Sequence, residues 1–303
     1  MKLVECVPNF SEGRRPEVLE SIVGAMTAVE GVRLLDKEMD ADHNRAVVTI
    51  VGEPEAVLEG AFQGMSKAAE LIDLTGHDGE HPRMGATDVV PFVPVKGVTM
   101  DECVELARKL GERVGEELSI PVFLYESACT RPGRQNLAKV RKGQFEGLCE
   151  EIGTNPAKEP DFGPCKIHPT AGATAIGARP FLVAYNINLG TSDVSIAKTI
   201  AKSIRHSGGG LRHVKAMGFE IKDRGIVQVS INMVNFKGTP LFRAFDMVRS
   251  EAERYGVPVI GSEIVGLVPA DALIDCAEYY LRLEDFTRDQ VLENRLTESE
   301  GGE

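Results

Sequence analysis

Phe181-Leu182-Val183-Ala184-Tyr185-Asn186-Ile187-Asn188-Leu189 carries its larger apolar side chains at every second position. A period of two puts those side chains on one face of an extended chain, so the stretch reads as a half-buried strand. The residues after Leu189 extend this strand into a fold. Val194, Ala197, Ile200, Ala201 and Ile204 recur at helical spacing and predict a helix over 192–205. Strands at 212–220 and 226–234, a helix at 240–255 and a strand at 257–260 complete the order βαββαβ, the ferredoxin-like arrangement.

The same order precedes it. Residues 2–8 read as a strand, followed by a helix at 15–28 with Val18, Leu19, Ile22, Val23 and Met26 on one face. Strands at 32–36 and 45–51 come next, then a helix at 54–72 opened by Pro54 and a strand at 89–95. A helix at 100–118, a strand at 121–125 and a helix around 134–151 extend this first copy. The expectation is an α/β chain of the α+β kind: two ferredoxin-like βαββαβ subdomains, 1–180 and 181–303, flanking a ligand cleft. The segment 155–180, rich in Pro and Gly, reads as the connection between them.

Composition sets the surroundings. With 303 residues, 43% of them hydrophobic, the chain can bury one large core or two ordinary ones. A formal charge of -12 argues against nucleic acid and anionic membrane as partners. Met1-Lys2-Leu3-Val4-Glu5 reaches an acid before an apolar signal segment forms, and no apolar run approaches the roughly 20 residues of a membrane span. The six cysteines form no C-x-x-C pair, which fits reduced thiols and a cytoplasmic setting.

Chemistry concentrates in His77-Asp78-Gly79-Glu80-His81-Pro82-Arg83-Met84-Gly85-Ala86. Its H-x-x-E-H spelling matches a helical zinc signature, yet Gly79 and Pro82 oppose the helix that would bring His77 and His81 onto one face. We therefore expect no metal. A histidine fixed before a proline, beside Glu80 and Arg83, suits proton transfer on an anionic substrate, since its ordinary pKa of about 6.5 lies near cellular pH. His81 is the candidate catalytic residue.

Asp36-Lys37-Glu38-Met39-Asp40-Ala41-Asp42-His43-Asn44-Arg45 links two predicted strands. It is either a solvated turn or a site in which Asn44 and Arg45 address a carboxylate or heterocycle; it has no EF-hand register. Asp161-Phe162-Gly163-Pro164-Cys165-Lys166-Ile167-His168-Pro169-Thr170-Ala171-Gly172-Ala173-Thr174 is a stiff loop whose backbone can approach a flat ligand. Gly208-Gly209-Gly210 lacks a P-loop ending and comes after a predicted helix, so it reads as a helix terminator. Cys165 lacks a helix N-terminus that would activate it as a nucleophile.

Val4-Glu5-Cys6-Val7-Pro8-Asn9-Phe10-Ser11-Glu12-Gly13, the run from His81 to Asp88, Asp161-Phe162-Gly163-Pro164, Gly172-Ala173-Thr174, Gly177-Ala178-Arg179, Asn186-Ile187-Asn188-Leu189 and Gly261 to Pro269 together resemble the formiminotransferase family. The likeness reaches to about residue 285. It implies two α/β subdomains around a folate-binding tunnel, a homodimer, and passage of a formimino group between N-formimino-L-glutamate and tetrahydrofolate. The family's catalytic histidine maps onto His81. Its folate-binding segment maps onto Gly163, Pro164, Cys165, Lys166, Ile167, His168, Pro169, Thr170, Ala171 and Gly172. The chain stops at Glu303 with no cyclodeaminase segment, so a separate cyclodeaminase is expected to act on the product.

Imine transfer needs one group that accepts and then returns a proton, a task a histidine performs near neutral pH. Glu80 or Asp40 would orient His81, and Arg83 or Arg45 would pair with a glutamate carboxylate. Substrate-binding candidates are thus Asp40, Asn44, Arg45 and Arg83. A formyl-group transfer from N-formylglutamate is the nearest alternative reading. A zinc hydrolase using His77 and His81 is a more distant one. An RNA-binding ferredoxin-like module disagrees with the charge and with 6% aromatic content.

Overall fold

Pro8 interrupts the first strand, because a proline offers no N–H to a ladder. The chain therefore runs as β1 (Leu3–Cys6) and β2 (Asn9–Phe10), and both pieces pair with the same two neighbours. These are reached through α1 (Pro16–Thr27), β3 (Arg33–Asp40), β4 (Arg45–Gly52), α2 (Pro54–Leu71) and β5 (Thr87–Lys96). The order β3-β4-β1/β2-β5, antiparallel throughout, is the ferredoxin-like one. This computed structural model describes residues 2–79 and 81–300. The chain divides into two compact units, Met1–Pro180 and Phe181–Glu303.

The first unit goes on through α3 (Met100–Glu117), β6 (Val122–Glu126), α4 (Leu137–Val140), α5 (Gln144–Glu151) and β7 (Thr174–Ala178). Thr99 begins α3 with a capping box closed by Glu102. The inserted β7 lies parallel between β5 and β6, widening the sheet to seven strands. Ile22, Met26, Ile50, Val57, Val90, Phe92 and Leu110 form the core beneath α1, α2 and α3. Val89, Phe123, Tyr125 and Ala175 alternate onto the opposite face, where Val140 and Leu148 of α4 and α5 cover them. That second layer brings the 137–151 segment to the same part of the sheet as the His81 loop.

The second unit comprises β8 (Val183–Leu189), α6 (Val194–Ile204), β9 (Val214–Ile221), β10 (Ile226–Met233), α7 (Leu241–Glu253) and β11 (Val259–Val265). Its order β11-β8-β10-β9 is again ferredoxin-like and antiparallel. Val183, Ile187, Leu189, Ile200, Ile204, Val229 and Ile231 are buried together, which is the alternation of 183–189 given physical form. The helices α8 (Ala270–Leu281) and α9 (Leu292–Glu300) end the unit. Among the described residues, no helix is long and apolar enough to cross a membrane.

The structure corrects four sequence expectations. The strand expected at 32–36 continues to Asp40, because Glu38, Met39 and Asp40 pair with Val47, Ala46 and Arg45. The acid-rich link is therefore a hairpin with its tight turn at 41–44. The single helix expected around 134–151 is broken by left-handed backbone at Gly143 (φ 90°) and Gln144 (φ 56°). Within 155–180 lies β7, whose Thr-Ala-Ile-Gly-Ala sequence has little β propensity and forms a strand because it is sandwiched and fully buried. The last strand of the second unit starts at Val259 and runs to Val265.

Candidate active site

Three segments meet at the start of β4. The turn 41–44 places Asn44 in left-handed backbone (φ 47°), a conformation asparagine tolerates better than most residues. Its side chain is buried; Oδ1 accepts from Gly13 N at 2.9 Å and Nδ2 donates to Asp78 O at 2.8 Å. Its backbone carbonyl accepts from His77 Nε2 at 3.0 Å. Asn44 thus ties the 9–13 segment and the histidine loop to the hairpin. Gly79 completes the seam, since a Cβ there would stand 2.6 Å from His43 O. With both ends of its amide engaged, Asn44 positions the site's segments.

His77 and Arg83 act on the loop itself. Arg83 Nε donates to His77 Nδ1 at 3.1 Å, so the proton of neutral His77 is on Nε2, facing Asn44 O. Both ring nitrogens are engaged, and no lone pair remains for a metal. Arg83, buried, also donates to Glu146 Oε1 at 2.6 Å and Oε2 at 2.9 Å, to Gln144 and to His77 O. The structure places it as the anchor between this loop and α5. Arg83→Met is expected to lower unfolding free energy in urea by about 1–3 kcal/mol, because it leaves His77 and its carbonyl without donors. An unchanged urea midpoint would free Arg83 for a substrate carboxylate.

Among the described residues, the hydrogen-bond partner of His81 is a cation. Arg45 Nη1 lies 3.1 Å from His81 Nε2. Arginine only donates, so Nε2 is the acceptor and the proton of neutral His81 sits on Nδ1. Burial, then the charges of Arg45, Arg141 and His43, push the imidazole from 6.5 down to about 3, against the pull of Asp40. Of the two acids expected to orient this ring, Asp40 is engaged elsewhere: it receives His43 Nδ1 at 2.7 Å and the backbone N–H groups of Asp42 and His43. Burial pushes the Asp40 carboxyl up, but these bonds and the His43 charge bring it below its ordinary value. Asp40 therefore reaches His81 only through space. Glu80 lies outside the described residues.

Arg141 is the residue that sequence reading misses. It stands directly after α4 as that helix's C-cap and pairs through Nη2 with Asp88, which is 2% exposed. Asp88 also accepts Met84 N at 2.9 Å, which fixes the strand end beside the loop. Nothing local distinguishes Arg141 from Lys139 or Lys142. Only the fold, by laying 137–151 over β5, brings it to His81.

The stiff loop 163–172 spans two environments. Gly163 (φ 80°) packs on α3, and Pro164, Cys165 and Lys166 are exposed. His168 turns its Nδ1 inward to accept Thr170 N at 3.4 Å and Ala171 N at 3.0 Å. From there the chain zips onto the histidine loop: Leu74 N donates to Thr170 O, Ala86 N to Ala171 O, and Ala173 N to Met84 O, each at 2.9 Å. One end of this loop is thus bonded to the histidine loop, while Pro164, Cys165 and Lys166 stand exposed. A Cβ on Gly172 (φ 70°) would lie 2.4 Å from Met84 O and one on Gly163 would lie 2.7 Å from Ile120 O. These glycines serve backbone packing.

Residues 3–179 match the formiminotransferase domain, N-terminal subdomain, and residues 184–296 match the formiminotransferase domain. The chain is 56% identical over 296 residues to the glutamate formimidoyltransferase of Streptococcus pyogenes serotype M1, covering 97% of this chain and 99% of that protein. It is 52% identical over 298 residues to the glutamate formimidoyltransferase of Thermoplasma acidophilum, covering 98% of each. To the formimidoyltransferase-cyclodeaminase of Mus musculus it is 44% identical over 307 residues, covering 97% of this chain and 56% of that protein.

Proposed function

The chain belongs to the formiminotransferase family, and we propose that His81 is the acid–base residue of its folate-dependent transfer of a formimino group from N-formimino-L-glutamate. Tetrahydrofolate is the cosubstrate. The observation that carries the reading is the contact of His81 Nε2 with Arg45 Nη1 at 3.1 Å, on a loop whose Met84 and Ala86 bond to Ala173 and Ala171. The folate amine attacks the electrophilic formimino carbon. A tetrahedral intermediate forms, Arg45 turns from Nε2 to the substrate, the amine loses a proton to that nitrogen, and the same proton passes to the departing glutamate nitrogen as the C–N bond breaks. Loop 163–172 supplies the folate contacts, through its exposed residues Pro164, Cys165 and Lys166.

Incubation with tetrahydrofolate and either N-formimino-L-glutamate or N-formyl-L-glutamate, followed by identification of the folate product, tests the donor. Formimino transfer at least about a hundredfold faster is expected, because the protonated amidine is the better electrophile. Formyl transfer at equal or greater rate would reverse the assignment. Both ring nitrogens of His77 are already bonded and an amidine needs no Lewis acid, so dialysis against chelator is expected to leave the rate unchanged. Loss of activity restored by zinc would favour a hydrolase. We further propose a cytoplasmic homodimer. Support for association is the apolar surface of α8, where Leu273, Tyr279, Tyr280 and Leu281 are all exposed; light scattering at twice the chain mass is the expected result.

A further inference from the structure

We propose that Arg141, held by Asp88, joins Arg45 to form an anion seat against His81 that receives a carboxylate of the substrate. The inference rests on the acid–base reading of His81 and adds to it a residue and a control. Two arginines and an imidazole with no acid bonded to that imidazole among the described residues are a costly arrangement in a half-buried site. Arg45 contacts His81 directly, and the charge of Arg141 is felt by both. The Nε–H groups of Arg45 and Arg141 are buried and meet no acceptor among the described residues. A buried guanidinium N–H without an acceptor calls for one from outside the chain, a water or a ligand; Arg205 and Arg288 carry such groups too, but only Arg45 and Arg141 carry theirs beside His81. A planar carboxylate offers two acceptor oxygens, the complement of an arginine edge.

Asp88 makes the seat directional. It takes one Nη of Arg141 and, with its other oxygen, Met84 N, so the guanidinium is oriented from behind. Asp88 is a positioning residue. Among the described residues, the ring also feels His43 and Asp40, already bonded to each other, and Arg45 feels Asp40, Asp88 and Glu38. An incoming carboxylate therefore adds negative charge beside Arg45, while Arg141 keeps Asp88 and turns its remaining N–H groups to the ligand. Without it, His81 resists a proton; with it, the imidazole can accept the one released by the attacking amine. Substrate binding would in this way equip the base, and a site lacking donor would not hold a charged histidine.

The test uses the intact protein with isotope-labelled histidines and L-glutamate as the probe, so that protonation and binding are read without any transfer. Saturating L-glutamate should move the His81 titration upward by about one pH unit or more. Arg141→Met should weaken L-glutamate binding about tenfold or more and suppress that movement. Arg141→Lys, which keeps a cation beside Asp88 but loses the fork, should give an intermediate result and covers the case in which the methionine variant does not fold. In steady state the acid limb of kcat should lie at higher pH than that of kcat/KM, and the gap should close in Arg141→Met. The glutamate-induced shift should also persist in Glu80→Gln. Indifference of His81 to L-glutamate, or wild-type glutamate affinity in both Arg141 variants, overturns the seat. Because none of the binding readouts needs turnover, transfer that survives loss of His81 would remove the acid–base reading separately.

Discussion

His81→Ala is expected to lower kcat by about 10²- to 10⁴-fold while leaving the melting temperature where it is. The imidazole is half-buried, and its hydrogen-bond partner is Arg45, itself anchored in β4, so the fold loses little. Chemistry loses the group that moves the proton. The pH dependence supplies an independent check. The neutral ring is the active base, and burial with Arg45, Arg141 and His43 lowers its pKa in the free protein to about 3. Protonation, the event that stops catalysis, is therefore displaced to acid, and the acid limb of kcat/KM should lie well below pH 6.5. Stability has the same sign. The unfolded chain takes up this proton near pH 6.5 and the native one does not, so His81's contribution is present above 6.5 and lost as pH falls toward 3. That slope should be missing in His81→Ala. Transfer within about threefold of wild type would remove His81 from the mechanism.

The sequence discloses what is local and periodic. The alternation at 183–189 is a central strand because it has one face to bury, and the Gly79 and Pro82 argument against a zinc helix holds in the loop that His77 and Arg83 build. It does not disclose β7, whose small residues look like a glycine-rich connection until two strands enclose them. Nor does it disclose partners at a distance. Arg83 stands nearest to His81 in sequence and looks like the substrate's arginine, yet Glu146, more than sixty residues onward, engages it. Arg141 carries no local signal and reaches the site through a helix that folds back over the sheet. Charge number is legible in a sequence; which acid neutralises which base is decided by topology.

The fold's own requirement for glycine gives the second large effect. At Gly85 a Cβ would stand 1.8 Å from Ala173 O, inside the bridge that pairs Gly85 with Gly172. No rotation relieves a Cβ, so Gly85→Ala must part the two backbones and with them the bonds from Ala86 N and Ala173 N. We expect a loss of about 3 kcal/mol or more, a large fraction of the roughly 5–15 kcal/mol that holds an ordinary domain. Gly172→Val should fare as badly, since it adds left-handed backbone (φ 70°) to a contact of 2.4 Å with Met84 O. Weak folate binding in either variant would then report unfolding, so the ligand wall has to be probed where it is exposed. Lys166→Glu places a repulsive charge in the open part of the loop, against the anionic tail of folate, without touching a buried contact. It should weaken folate binding about tenfold, or about 1.4 kcal/mol, at an unchanged melting temperature. Glycine variants that melt like wild type would mean that loop 163–172 does not grip the histidine loop, whereas unaltered folate affinity in Lys166→Glu would move the anionic tail away from this loop.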